Sequence, residues 1–238
     1  MKRILLFVVL LTSLLSSCGD NEITRDLDRM GYQYYPLEVG RFWVFNVTEN
    51  EYSRNQITKT TTFQTRELIK DITTDQTGRE WFRVEVSRRN SPDGSWTVNG
   101  VKLISLSSSD LRILENNQTT VHMVFPVKEG YSFVSNAFKN EDHEDPVYFT
   151  YTNLGKAFLE NSQTYENTLT LVQAESKTFI ELEKRNEVLA LGVGPVSRTN
   201  KDYTYCEDSS GATCPYGEDY IITGSDRVET LESSGKVD

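Results

Sequence analysis

Apolar residues along this chain recur mostly at every second position, in short runs separated by turn formers. Trp81-Phe82-Arg83-Val84-Glu85-Val86-Ser87-Arg88 is the clearest case, with Phe82, Val84 and Val86 on one face and Arg83, Glu85 and Ser87 on the other. That period belongs to a half-buried strand. Similar segments run over residues 42–48, 111–114, 121–125, 147–152, 168–172, 178–182, 188–191 and 220–222. Between them Ser91-Pro92-Asp93-Gly94, Asn99-Gly100 and Asn116-Asn117 predict tight turns joining antiparallel neighbours. Long periodic helices are hard to find: the one candidate of useful length is residues 154–166, where Ala157, Phe158 and Leu159 could share an inner face, and its flanks are strand-like. The abundance of Thr, Tyr, Phe and Val agrees with sheet. The pattern as a whole predicts an all-β fold: a strongly curved antiparallel sheet, as an open barrel or a sandwich, with few or no helices after the first segment.

The N-terminal segment breaks this pattern. Lys2 and Arg3 precede an almost wholly apolar run from Ile4 to Leu15, followed by Ser16, Ser17 and Cys18. This is the layout of a secretory signal peptide, and the run falls short of the about 20 apolar residues needed to cross a bilayer. Leu15-Ser16-Ser17-Cys18 resembles the lipobox of bacterial lipoproteins. The resemblance implies that the Cys18 thiol is acylated, that the peptide is cut just before it, and that the mature protein is held to a membrane by its N-terminal lipid. The expected organisation is a signal peptide over residues 1–17, a polar tether over 18–33 and a single β domain over 34–238, in the cell envelope at the outer membrane.

Charge and cysteine content narrow the picture. Lys and Arg number 25 against 35 Asp and Glu, a formal charge of −10 that grows more negative once Lys2 and Arg3 are removed. Such a surface repels nucleic acid, so no nucleic-acid partner is expected. With Cys18 lipidated, Cys206 and Cys214 are the two thiols left in an exported chain, and turn formers fill the stretch between them. A structural disulfide is predicted there, closing a loop worth roughly 2–3 kcal/mol. A metal or redox site is disfavoured, because CxxC spacing is absent and neither histidine lies near.

One stretch of sequence is echoed. Residues 35–46 align without a gap on residues 125–136, matching aromatic, Pro, aliphatic, Gly, aromatic, Val and Asn. In each copy proline (Pro36, Pro126) leads into a turn, glycine (Gly40, Gly130) supplies its flexible position, and an aromatic (Trp43, Phe133) starts a strand by turning into the core. These residues are read as structural. At Tyr35-Pro36-Leu37-Glu38-Val39-Gly40-Arg41-Phe42-Trp43-Val44-Phe45 the chain resembles a group of Gram-negative envelope lipoproteins that carry a YPLxxGxxWxY segment close behind the lipidated cysteine, with Phe45 in place of the final tyrosine. The likeness extends to the turn at Pro126, to Thr164-Tyr165-Glu166-Asn167-Thr168-Leu169 and to Leu191-Gly192-Val193-Gly194-Pro195-Val196. It implies location and fold, and no chemistry.

Candidate chemistry is sparse. His122 alternates with Val121 and Met123, so it is expected to face solvent if they face the core. His143 sits in the acidic stretch Asn140-Glu141-Asp142-His143-Glu144-Asp145-Pro146, which lacks the glycine and spacing of a calcium loop and reads as a solvated turn. Gly192-Val193-Gly194 lacks the third glycine and following helix of a phosphate loop and reads as a kink or bulge in a bent sheet. Glu181 and Glu183 share one face of a strand, the arrangement of a wetted surface rather than of carboxylates opposed across a cleft. GxSxG, HExxH and P-loop patterns are missing. The expectation is therefore a protein with no catalytic residues, metal or cofactor. Two roles remain: an interaction or assembly module contacting another envelope protein or a surface polymer, or a carrier holding a lipid or other apolar ligand inside the curved sheet. Close packing among Phe82, Phe125 and Phe149 favours the first; an open apolar groove favours the second.

Overall fold

In the computed structural model, residues 30–138, 145–211 and 213–237 are described. A single turn of 3-10 helix, Tyr32–Tyr34, precedes twelve strands: β1 (Arg41–Ser53), β2 (Gln56–Thr74), β3 (Glu80–Arg89), β4 (Thr97–Leu106), β5 (Asp110–Glu115), β6 (Gln118–Val124), β7 (Ser132–Val134), β8 (Tyr148–Glu160), β9 (Gln163–Lys177), β10 (Glu181–Ala190), β11 (Gly194–Tyr205) and β12 (Ile221–Lys236). Consecutive strands pair antiparallel within two meanders, β1 to β6 and β7 to β12. β1 and β12 join the meanders along their full length, from Arg41↔Lys236 to Ser53↔Thr223. On the far side the Val121 N–H donates to the Ser135 carbonyl at 2.8 Å, so β6 and the end of β7 meet and the sheet is nearly closed into a barrel. Closure of this kind removes most of the exposed strand edge.

Local chemistry sets the hairpins. Arg54-Asn55, Asn116-Asn117 and Asn161-Ser162 each place two successive residues at positive φ, the two-residue turn geometry whose twist matches that of the flanking strands. The last of these rules out the helix candidate over residues 154–166, whose flanks already read as strand. That segment is the β8–β9 hairpin, because Phe158 pairs with Tyr165 and Leu159 with Thr164 across the turn. Asn99-Gly100 is not a turn either. The β3–β4 register steps from Val86↔Gly100 to Ser87↔Val98, leaving Asn99 as the extra residue of a bulge inside β4. The strand predicted over 178–182 is likewise broken: the Thr178 N–H donates to the Glu181 carbonyl at 2.9 Å, making Thr178 to Ile180 the β9–β10 turn. Gly192-Val193-Gly194 bends the chain between β10 and β11 as a hairpin turn, where a kink within the sheet had been expected.

One end of the barrel is closed by the start of the described chain. The Val127 N–H donates to Met30 and the Gly192 N–H to Gln33, at 3.2 and 2.9 Å. The Tyr32 hydroxyl donates to the Ser108 carbonyl at 3.0 Å, and the Tyr34 hydroxyl to Asn167 at 2.5 Å. These contacts tie the segment, residues 30–34, to strands and turns around the rim. Above it lies the apolar core, in which Trp43, Phe45, Ile69, Ile104, Leu171 and Leu189 are fully buried. Phe82, Phe125 and Phe149 belong to the same cluster. This close packing fills the barrel at its closed end.

Candidate functional site

The core stops partway up the barrel, and the residue type on the inner face changes there. Along β2 the inner face passes from Ile69 to Glu67, along β4 from Ile104 to Lys102, and along β10 from Leu189 to Glu187. Successive inward positions on a strand lie two residues apart. The result is a cavity of about 540 Å³ whose floor is charged and whose mouth opens at the end opposite Tyr32–Tyr34.

Arg198 organises the floor. Its register partners are Glu187 on β10 and Glu229 on β12, so three neighbouring strands present carboxylate, guanidinium and carboxylate in a row. Arg198 Nε donates to Glu187 Oε1 at 2.6 Å and Nη1 to Glu229 Oε2 at 3.3 Å. The same guanidinium crosses the lumen to Glu67, at 2.7 Å from Nη1 to Oε1 and 3.4 Å from Nη2 to Oε2. Lys102 Nζ lies 2.9 Å from Glu67 Oε2, and His122 Nε2 lies 2.6 Å from Glu187 Oε2. Arg227 Nε donates to Glu229 Oε1 at 2.7 Å. An unbroken run of hydrogen-bonded side chains thus spans the barrel from Lys102 on β4 to His122 on β6. The Arg198 guanidinium also rests 4.7 Å above the Phe45 ring centroid, where the charged floor meets the apolar core.

Burial makes these pairings mandatory, because an isolated charge in so dry a place is strongly penalised. Glu187 is 2% exposed and Glu67 5%. Burial pushes the Glu67 carboxyl up, but Arg198 and Lys102 outweigh it and hold the group at about 2. Glu187 feels the same desolvation and is held well below the usual carboxylate range by Arg198 and His122. For Lys102 burial acts downward, yet Glu67 prevails and the ammonium is held above its ordinary value.

Tyr35 stands apart within this network. It is 1% exposed, lines the cavity and sets its ring edge-on to His122 with centroids 5.8 Å apart, yet its hydroxyl has no hydrogen-bond partner. Burial raises that hydroxyl to about 12.

His122 corrects the expectation that it faces solvent. The β5–β6 register steps from Leu111↔Met123 to Arg112↔Val121, which leaves His122 as the extra residue of a bulge. A bulge breaks strict alternation and re-aims the side chain. His122 therefore turns inward beside Met123. Gln173 reaches the cavity by the same device, as the extra residue where Arg185↔Ala174 gives way to Asn186↔Val172.

The residues singled out from sequence lie elsewhere. Pro36, Gly40, Trp43, Pro126, Gly130 and Phe133 all sit outside the cavity lining. Gly40 and Gly130 hold φ values of 88° and 73°, a region in which only glycine is unstrained. Trp43 is fully buried, and its indole N–H donates to the Val193 carbonyl at 2.7 Å. Phe133 is buried against Tyr151, with ring centroids 5.3 Å apart. Cys206 and Cys214 form a disulfide with a Cα separation of 5.9 Å, at the mouth end. Glu181 and Glu183 are exposed. Cys18 and His143 lie outside the described residues. The charged floor itself was missed, although the recurring step from a charged residue to an aliphatic two positions away on one face was readable. No protein-family model, curated protein or solved structure matches the chain.

Proposed function

We propose that this chain is a lipid-anchored protein of the bacterial cell envelope that binds without catalysing, and that the mouth of its barrel is the binding surface. The observation that carries this reading is the charged cavity, open at the end opposite the one where the described chain begins. Cys18 can lie at most about 40 Å of extended chain from Met30, so a lipid there would attach the protein to the membrane through the closed end of the barrel. The buried carboxylates are each already held by a cation, an arrangement suited to shaping a site rather than to moving protons. Its volume lies within the ~300–1,000 Å³ typical of small-molecule sites.

An apolar cargo fits this geometry poorly. The large apolar side chains are packed against one another in the core, and in the wall of the open space Val86, Ile113 and Phe149 stand among Glu, Lys, Arg, Asn and Gln. A hydrocarbon chain inserted there would strip water from charges without replacing its hydrogen bonds. The test is to screen the purified full chain against small polar solutes by thermal shift, alongside an Asn186→Trp variant that obstructs the mouth. Stabilisation by a solute that vanishes in the variant is the expected result. Binding that survives obstruction would move the working surface elsewhere.

A further inference from the structure

The cavity lining carries its own statement about what fits. Four carboxylates, Glu67, Glu115, Glu187 and Glu229, face four permanent cations, Lys102, Arg185, Arg198 and Arg227. In a protein with a formal charge of −10, this cavity is electrically balanced. The deep charges are also spent on one another. An ionic ligand would have to displace one of these partners and leave a buried charge unpaired.

What remains on offer is neutral. Gln118, Gln173, Asn186 and Asn200 line the upper wall, and their amides bond to no other side chain or backbone group among the described residues. Each amide presents one acceptor and one donor group, a match for adjacent hydroxyls. At the bottom Tyr35 is part of the lining and its hydroxyl is buried and unpartnered, which is costly unless something polar meets it. Val86, Ile113 and Phe149 add apolar surface to the same wall. Bulges turn His122 and Gln173 inward, and bulges are a recurrent way of aiming side chains at a site.

We infer that the lumen binds a neutral polyhydroxylated ligand, a saccharide of disaccharide size, with the Tyr35 hydroxyl receiving its innermost hydroxyl and the Asn and Gln amides its ring hydroxyls. The inference rests on the binding role proposed above. Sugar rings combine hydroxyls at their edges with apolar C–H faces, which is the mixture this wall provides.

The test is calorimetric titration of the detergent-solubilised full chain with cellobiose, maltose and N,N′-diacetylchitobiose, and in parallel with glucuronic acid and glucosamine. At least one neutral disaccharide should bind, more tightly than either charged sugar. Tyr35→Phe should weaken that binding roughly tenfold, the effect of one lost hydrogen bond, while melting no lower than the wild type because the hydroxyl has no protein partner. Asn186→Ala should weaken it similarly. Preferential binding of glucuronic acid or glucosamine, blocked by Asn186→Trp, would overturn the ligand class yet leave a binding mouth. Binding of a neutral sugar indifferent to Tyr35→Phe would overturn the inference, and a lumen silent to every solute would overturn both readings.

Discussion

Trp43 fills the closed end of the barrel because Gly194 has no side chain: a Cβ there would lie 2.8 Å from the indole Nε1, on a backbone whose φ is 100°. The two residues form one packing unit reinforced by the indole hydrogen bond to Val193. Trp43→Ala should cost roughly 3–5 kcal/mol in urea unfolding, and Gly194→Ala should also destabilise, since both strain and overlap oppose it. At the charged floor the governing cost is an orphaned charge. Glu187→Gln removes one of the three carboxylates around Arg198 and the partner of His122, and should destabilise by less than the about 3–5 kcal/mol of a buried charge left wholly unpaired, whereas Arg185→Gln at the exposed rim should stay within about 0.5 kcal/mol. The same groups set the acid response. Glu67, held at about 2 against an ordinary 4.5, contributes stability that is fully present above pH 4.5 and is lost as pH falls through about 2. Glu187 acts in the same direction. Unfolding free energy measured from pH 6 downward should fall below pH 4.5 by a few kcal/mol. In Glu67→Gln this part of the slope should shrink; an unchanged slope would assign the acid response to other carboxylates.

Among the elements, bulges and hairpin turns decide what each strand presents to the lumen. Displacing one residue at the β5–β6 bulge turns His122 from a solvent position into a ligand of Glu187. The disulfide element acts only locally. Cys206 closes on Cys214 beside β11, whose end is tied down by the Tyr205 N–H to Ile180 and the Cys206 N–H to Tyr220, at 2.7 and 3.0 Å. Replacing both cysteines with serine should therefore cost roughly 2–3 kcal/mol at most. In hydrogen exchange, protection should drop over residues 206–220 and persist in β1 to β6. A barrel-wide loss would show that the loop is part of the cooperative core. The two echoed segments open the first strands of the two meanders, β1 and β7, which explains why one Pro-Gly-aromatic device appears twice.

For the whole molecule, the first described residues and the barrel mouth lie at opposite ends, and the proposed anchor is testable without knowing the ligand. Wild-type protein should partition into the detergent phase and carry an acyl mass on Cys18, while Cys18→Ala should accumulate as uncut precursor; soluble wild-type protein without acyl mass would remove the envelope assignment. The sequence by itself determined the all-β architecture, because Phe82, Val84 and Val86 alternate with polar neighbours and only a strand buries such a pattern. It also contained the pairing of Cys206 with Cys214 and the burial of Trp43 and Phe133. It was silent on β2 and most of β12, since residues such as Glu67, Arg227 and Glu229 put charge on the inner face and erase the period. Residues 154–166 read as a helix candidate between strand-like flanks, and Asn161 and Ser162 at positive φ make the segment a hairpin. The charged floor was decided only in three dimensions. Glu67, Lys102, His122, Glu187 and Arg198 come from five strands, and a buried charge is tolerable only where barrel closure brings its partner within hydrogen-bonding reach.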